Sequence, residues 1–245
     1  VAIPWRWTFS RALAFDHVSQ FWRDMGLPVV TGSPDDGPFN RSQARNRAVS
    51  GVFSEVVIVA DADAVPEIEA VEKALDGLGG DVVWLYDEYR IIDSGWVFRD
   101  DVREAPRVTC FCGQMLPNCC GAVSGLFACR TETYWRLGGH DERFGGRWGG
   151  EDVAFAHAAA TLAGARRVPG LAVAFDHAAQ RDIGAISPLA EIYETAAGDI
   201  ETMEWLVADP GRGHPATDVA QWKQRWPSPP PGVVWPPRPE GVTWL

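Results

Sequence analysis

Two stretches of this 245-residue chain set acidic side chains at spacings that suit metal and proton chemistry. The first is Asp61-Ala62-Asp63, which follows five apolar residues, Val56–Ala60, that read as a strand buried on both faces. In open α/β sheets ligands bind beyond the carboxyl ends of the strands, and residues two apart on an extended chain point the same way. Two carboxylates are therefore expected to face one crevice. Close carboxylates repel unless a proton or cation lies between them, and oxygen ligands suit Mg²⁺ or Mn²⁺, an ion that would bridge to a phosphate. An acidic turn capping a helix that begins near Pro66 is the other reading of the same residues.

The second stretch, residues 138–152, is GGHDERFGGRWGGED. It brings six glycines, Trp148 and the adjacent acids Glu151 and Asp152 onto the N-terminus of a helix. There backbone N–H groups are unpaired, and glycine permits close approach of a ligand. Favouring the helix dipole would account for one acid, but not for the glycines or Trp148. A pyranose ring needs an aromatic face and polar neighbours, and a hydroxyl made into a nucleophile needs a carboxylate base; this loop supplies both.

Alternating strands and helices must hold these acids in place. Residues 1–4 form a short apolar run, and residues 12–25 carry Leu13, Val18, Phe21, Trp22 and Met25 near helical spacing. A β-branched run over 27–31 leads into the turn formers Ser33-Pro34-Asp35-Asp36-Gly37-Pro38, after which Asn40 is expected to cap a helix carrying Ala44, Ala48 and Val49 on one side. Val56–Ala60, a helix over 67–78 and a strand over 82–86 complete three alternations, the pattern of an α/β domain. Residues 90–118 are less regular and are expected to add strands. Beyond them the pattern predicts a strand over 121–129, a helical turn over 132–137 and a helix over 151–163. No repeat with a period of 20–50 residues is visible.

Lys and Arg total 22 against 33 Asp and Glu, a formal charge of −11. That is the wrong sign for gripping phosphate backbones, so nucleic acid is disfavoured as a bulk partner, although a local basic groove stays open. No stretch approaches the roughly 20 apolar residues of a membrane span, and the start lacks the features of a signal peptide. The five cysteines all lie between residues 110 and 129. Reduced thiols are expected, with a zinc site of Cys110, Cys112, Cys119 and Cys120 as the alternative. From Trp226 the chain reads WPSPPPGVVWPPRPEGVTWL, which favours extended polyproline conformation. Such a tail either packs its Trp rings on the surface or docks a proline-binding partner.

Several of these motifs resemble one family. RWGGED at 147–152, preceded by NCCGAVSG at 118–125, resembles the acceptor-side motif of the β-1,4-galactosyltransferases and the catalytic segment of the polypeptide N-acetylgalactosaminyltransferases. In the same order, IPWR at 3–6 resembles that family's first-strand nucleotide contact, FNR at 39–41 its donor-nucleotide motif and Asp61-Ala62-Asp63 its D-x-D metal motif. The resemblance spans most of residues 1–180. It implies a GT-A (Rossmann-like) nucleotide-sugar-binding fold with a mostly parallel central sheet flanked by helices. Its nucleotide half would cover about 1–87 and its acceptor half about 88–180, with residues 181–245 a helical and Pro/Trp-rich extension packed on the domain.

The implied activity is metal-dependent transfer of a sugar, with inversion, from a UDP-linked donor to an acceptor hydroxyl on a glycan, a glycoconjugate or, less readily, a modified nucleic acid. A retaining transferase, a nucleotidyltransferase on the same fold and a non-catalytic sugar-binding module are the alternatives. By the resemblance, Asp152 is the base, and Glu151 and Trp148 position the sugars together with Arg147, Gly149, Gly150 and Gly121. Pro4, Arg6, Phe39, Arg41 and Asp61 hold the nucleotide, and Asp63, Asp61 and His177 ligate Mn²⁺ or Mg²⁺. The galactosyltransferases use a Met three residues before that His, where this chain has Ala174, which puts a preference for Mn²⁺ in doubt. The chain begins at the nucleotide strand, without the anchor and stem of Golgi relatives, so a cytoplasmic enzyme of bacterial or phage type is expected.

Overall fold

The computed structural model describes residues 1–92, 123, 125–145, 150–175 and 187–213. Its first half runs β1 (Ala2–Pro4), α1 (Phe9–Asp24), β2 (Val30–Gly32), α2 (Arg41–Ser50), β3 (Val56–Ala60), β4 (Ala64–Pro66), α3 (Ile68–Asp76), β5 (Val82–Trp84) and β6 (Glu88–Ile92). The second half continues with β7 (Leu126–Arg130), α4 (Thr131–Arg136), α5 (Glu151–Leu162), β8 (Ala165–Arg167), β9 (Leu171–Phe175), α6 (Pro188–Thr195) and α7 (Ile200–Ala208).

Among the described residues six strands form the central sheet, in the order β2-β1-β3-β7-β5-β8. Pairs β1–β2, β1–β3 and β5–β8 are parallel, while β7 runs antiparallel to both β3 and β5. The mostly parallel α/β sheet expected from the sequence is thus present, with β7 as its one reversed strand. Strand β7 lies between β3 and β5, and β8 pairs with β5, so strands from either side of residue 88 share one sheet. Strand β3 has neighbours on both edges, and Val57, Ile58, Val59 and Ala60 are buried. Side chains of that kind contribute about 1.5–3 kcal/mol each when fully buried, which explains a continuous apolar run where a half-exposed strand would alternate.

Two local features position α2. The Asn40 side chain accepts a hydrogen bond from the Gln43 N–H at 3.0 Å, the cap expected from the sequence. At Gly32 a Cβ would stand 2.1 Å from the Ala44 carbonyl oxygen, so only glycine lets β2 approach α2 this closely.

A second sheet, β4-β9-β6, was not foreseen. Strand β4 (Ala64–Pro66) lies between the acidic turn and α3, which starts at Ile68, close to the helix expected over 67–78. Its register sets Ala64 opposite Ala174, and the Phe175 N–H bonds the Asp63 carbonyl at 2.7 Å. Helices α6 and α7 pack on α5 through Ala154, Ala158, Leu189, Tyr193, Met203 and Leu206. No helix among the described residues is long and apolar enough to cross a membrane.

Candidate active site

The carboxyl ends of β1 and β3 lie together because the strands are parallel neighbours with Ala2 opposite Val59. Pro4 closes β1. Beyond it Arg6 donates to the carbonyls of Gly37 and Asp35 at 2.5 and 2.6 Å, and its guanidinium lies 5.5 Å from the Phe39 ring centre. Three residues expected to contact nucleotide, Pro4, Arg6 and Phe39, are therefore gathered at one strand end. Arg6 also ties down the turn-rich loop behind β2.

At the end of β3 the chain leaves the extended conformation, and Ala62 and Asp63 lie in a turn before β4. The alternation argued from an extended strand does not carry through to Asp63. Instead, Asp61 is fixed from two sides. Its N–H donates to the Gly125 carbonyl at 2.8 Å, and its carboxylate accepts from Arg45 at 2.7 Å. A side chain at Gly125 would press on both Asp61 and Arg45, with contacts of 3.0 and 3.1 Å.

Arg45, which sequence reasoning missed, organises the site. It sits on α2 at 0% exposure, and its other nitrogen donates to Asp152, 107 residues away in sequence. Glu151 lies 3.9 Å from the same nitrogen. One turn earlier on α2, Arg41 donates to Glu151 at 2.7 Å and stands 3.5 Å from Asp152. Arg41, expected on the nucleotide, here pairs with the two acids. Its i, i+4 spacing to Arg45 was the available signal, because such residues share a helix face; Ala44 and Ala48 beside them marked that face as buried.

The acids gather because α5 starts there. Gly150 caps the helix at φ +100°, a backbone region that other residues rarely adopt. A Cβ at this position would also stand 2.9 Å from Phe144. Glu151 and Asp152 then fill the first turn, where the helix dipole favours anions.

Two guanidinium groups thus face three carboxylates, leaving one negative charge in surplus. Burial pushes the Asp152 carboxyl up, opposed by Arg45 and reinforced by Glu151 and Asp61, to about 7. Burial acts on Glu151 in the same direction, but Arg41 and Arg45 hold it below the usual range. Its second oxygen, Oε2, is buried with no hydrogen-bond partner among the described residues. Behind Asp152 stands His140, also missed from sequence, with Nε2 at 3.9 Å from the Asp152 Oδ1.

Arg147, Trp148, Gly149, Gly121 and His177 lie outside the described residues, as do Cys110, Cys112, Cys119, Cys120 and the segment from Trp226. The described fifth cysteine, Cys129, is a buried free thiol. Among the described residues no three His, Cys, Asp or Glu side chains are grouped as a metal site.

No family profile and no curated protein matches the sequence. The chain is similar to solved structures of the Drosophila β1,4-galactosyltransferase 7, one a mutant complexed with manganese, UDP-Gal and xylobiose, the other a catalytic domain with xylobiose. Identity is 15% and the TM-score 0.48 in both, over 78% of this chain and 76% and 77% of those chains. It is also similar to GalNAc-T7 with UDP, GalNAc and Mn²⁺, at 13% identity and TM-score 0.49, over 91% of this chain and 47% of that one. The likeness to S. aureus TarS with UDP-GlcNAc has 16% identity and TM-score 0.41, over 85% of this chain and 56% of that one.

Proposed function

We propose that this chain is a glycosyltransferase that moves a sugar, with inversion, from a UDP-linked donor to the hydroxyl of a glycan or glycoconjugate. The observation that carries the reading is the Arg45 clasp. One buried guanidinium ties the carboxylate that ends β3, on the nucleotide side, to the carboxylate that opens α5, on the acceptor side. A donor phosphate at the first and an acceptor hydroxyl at the second would meet in one cleft.

In this mechanism Pro4, Arg6 and Phe39 hold the nucleotide along the strand ends. Asp152 takes the proton of the acceptor hydroxyl. As that O–H bond breaks, the oxygen bonds to the anomeric carbon, and the bond from this carbon to the diphosphate oxygen breaks with its electron pair leaving on the diphosphate. Arg41 and Arg45 keep positive charge beside these events. A base that titrates near 7 suits the task, because it is substantially ionised at neutral pH and still basic enough to accept a proton.

Hard-oxygen donors at the end of β3 and the surplus negative charge of the cluster would suit a divalent cation. Asp63 with Asp61, joined by His177, would hold Mn²⁺ or Mg²⁺, which when bound supplies positive charge for the departing diphosphate. Glu151 and Trp148 would orient the sugars.

The test is a thermal-shift panel of nucleotide sugars with and without Mn²⁺, followed by a nucleotide-release assay on the donor that stabilises the fold. A true donor raises the melting temperature by mass action. If no nucleotide sugar shifts the transition and none releases nucleotide, the reading is wrong.

A further inference from the structure

We propose that His140 is a positioning residue for Asp152, its unprotonated Nε2 serving as the acceptor for the proton that Asp152 takes up. This deepens the transfer reading, and rests on it for the part Asp152 plays in the reaction. The tautomer follows from a chain of hydrogen bonds. The Asn46 Nδ2 faces two acceptors, the His140 carbonyl at 2.8 Å and Glu142 Oε1 at 2.9 Å, so the other end of this amide is its oxygen. That oxygen accepts the His140 backbone N–H at 2.9 Å and the Tyr134 hydroxyl at 2.8 Å. The single hydroxyl hydrogen of Tyr134 is thereby used. Tyr134 also lies 2.9 Å from the His140 Nδ1, and this contact is a hydrogen bond only if Nδ1–H donates to it. Nε2 is then left bare.

The ring cannot escape this role by charging or turning. It is 1% exposed and stacked on Phe155, with centroids 4.6 Å apart and planes 7° from parallel. Burial, then the nearby charges of Arg45, Arg212 and Arg41, keep its pKa well below the ordinary value, so it is neutral. The groups facing it are Tyr134 from α4, Asn46, Arg45 and Arg41 from α2, Arg212 from the turn after α7 and Asp152 from α5. Nε2 has no hydrogen-bond partner among the described residues.

Asp152 is faced by Arg41 and Arg45 from α2, Asp61 from the end of β3, Glu151 beside it and His140 behind it. An ionised carboxylate oxygen and a bare imidazole nitrogen repel. The nearer oxygen, Oδ1, accepts from Arg45 and stands 3.9 Å from Nε2, so a side-chain shift of about 1 Å would bring a protonated Oδ1 within hydrogen-bond distance of it. When Asp152 removes the acceptor's proton, an O–H bond forms on Asp152 as the acceptor's O–H breaks. No electron changes carrier. The new O–H then has Nε2 to donate to, and the proton returns to solvent through the partly exposed carboxylate after product leaves. Accepting from the neutral acid raises the affinity of Asp152 for a proton.

The test is titration of the Asp152 carboxyl by ¹³C NMR, assigned with Asp152→Asn, in the full chain and in two variants. His140→Phe keeps the aromatic stack and removes the acceptor. Tyr134→Phe never touches Asp152 but frees the tautomer, letting Nε2–H form and favour the ionised carboxylate. Both should lower the Asp152 midpoint by about one pH unit, the worth of one net hydrogen bond. In the transfer assay the acid limb of kcat should move by the same amount, with the donor KM unchanged. An unmoved midpoint in either folded variant, or a lower kcat with an unmoved limb, overturns the assignment. Because the titration needs no turnover, a chain that shows these shifts but transfers no sugar would sink the transfer reading and leave the role of His140 intact.

Discussion

Replacing Arg45 with methionine removes the group that, among the described residues, joins both ends of the site. Arg45 is fully buried, donates to Asp61 at 2.7 Å and to Asp152, and has Glu151 at 3.9 Å. Without it three carboxylates face Arg41 alone, and two of them lose a charge-assisted hydrogen bond. Breaking a buried ion pair by removing one partner costs about 3–5 kcal/mol, a large share of the roughly 5–15 kcal/mol that holds a domain folded. The cost should depend on pH with a definite sign. In the variant Asp152 loses the Arg45 charge that opposes its burial, so its carboxyl is pushed further above the unfolded value, and from about pH 4 to 7 the native state binds more protons than the unfolded one. The variant's stability therefore falls as pH rises through that window, and its deficit against the parent is larger at pH 8 than at pH 5. Urea unfolding at both values, reporting midpoint and slope, measures this. Arg45→Lys, which offers one ammonium where the fork reached two acids, should lose about 1.5–3 kcal/mol. A methionine variant within about 1 kcal/mol of the parent at pH 8, or one whose deficit grows on acidification, would refute the clasp as a buried ionic tie.

Asp152→Asn should keep donor binding while cutting transfer by at least about 10²-fold, measured by nucleotide release under donor saturation. In the parent, transfer should rise with pH through about 7, because burial holds the Asp152 carboxyl protonated below that point. Asp63→Ala should make UDP-sugar affinity independent of divalent ions, and calorimetry with and without EDTA decides this. His177→Ala should weaken Mn²⁺ binding without changing the melting temperature, a titration that also shows whether Mg²⁺ competes. Gly32→Ala should destabilise the fold by more than about 3 kcal/mol in the same urea assay, because its Cβ would stand 2.1 Å from the Ala44 oxygen.

What could be read from the sequence was whatever depends on neighbours along the chain. The apolar run Val56–Ala60 marked a strand buried on both faces, Asn40 with the residues after it marked a helix start, and the glycines before Glu151 marked another. Periodicity and capping are local, so these features appear where they were expected: β3 is Val56–Ala60, α2 starts after its Asn40 cap and α5 starts at Glu151. Their alternation was enough to imply an α/β domain, and the resemblance implied that its sheet is mostly parallel. The reversed strand β7 and the second sheet were not legible, because strand direction and partner are set by which edges meet in space. The site divides the same way. Asp61 and Asp152 stood out as acids at the ends of periodic runs, but that one guanidinium, 107 residues before Asp152, joins them could not be seen from either. Arg45 and His140 look like ordinary polar residues in the chain. Only folding removes their water and brings carboxylates from other elements against them, and that burial gives one its bridging role and leaves the other a bare nitrogen facing an acid.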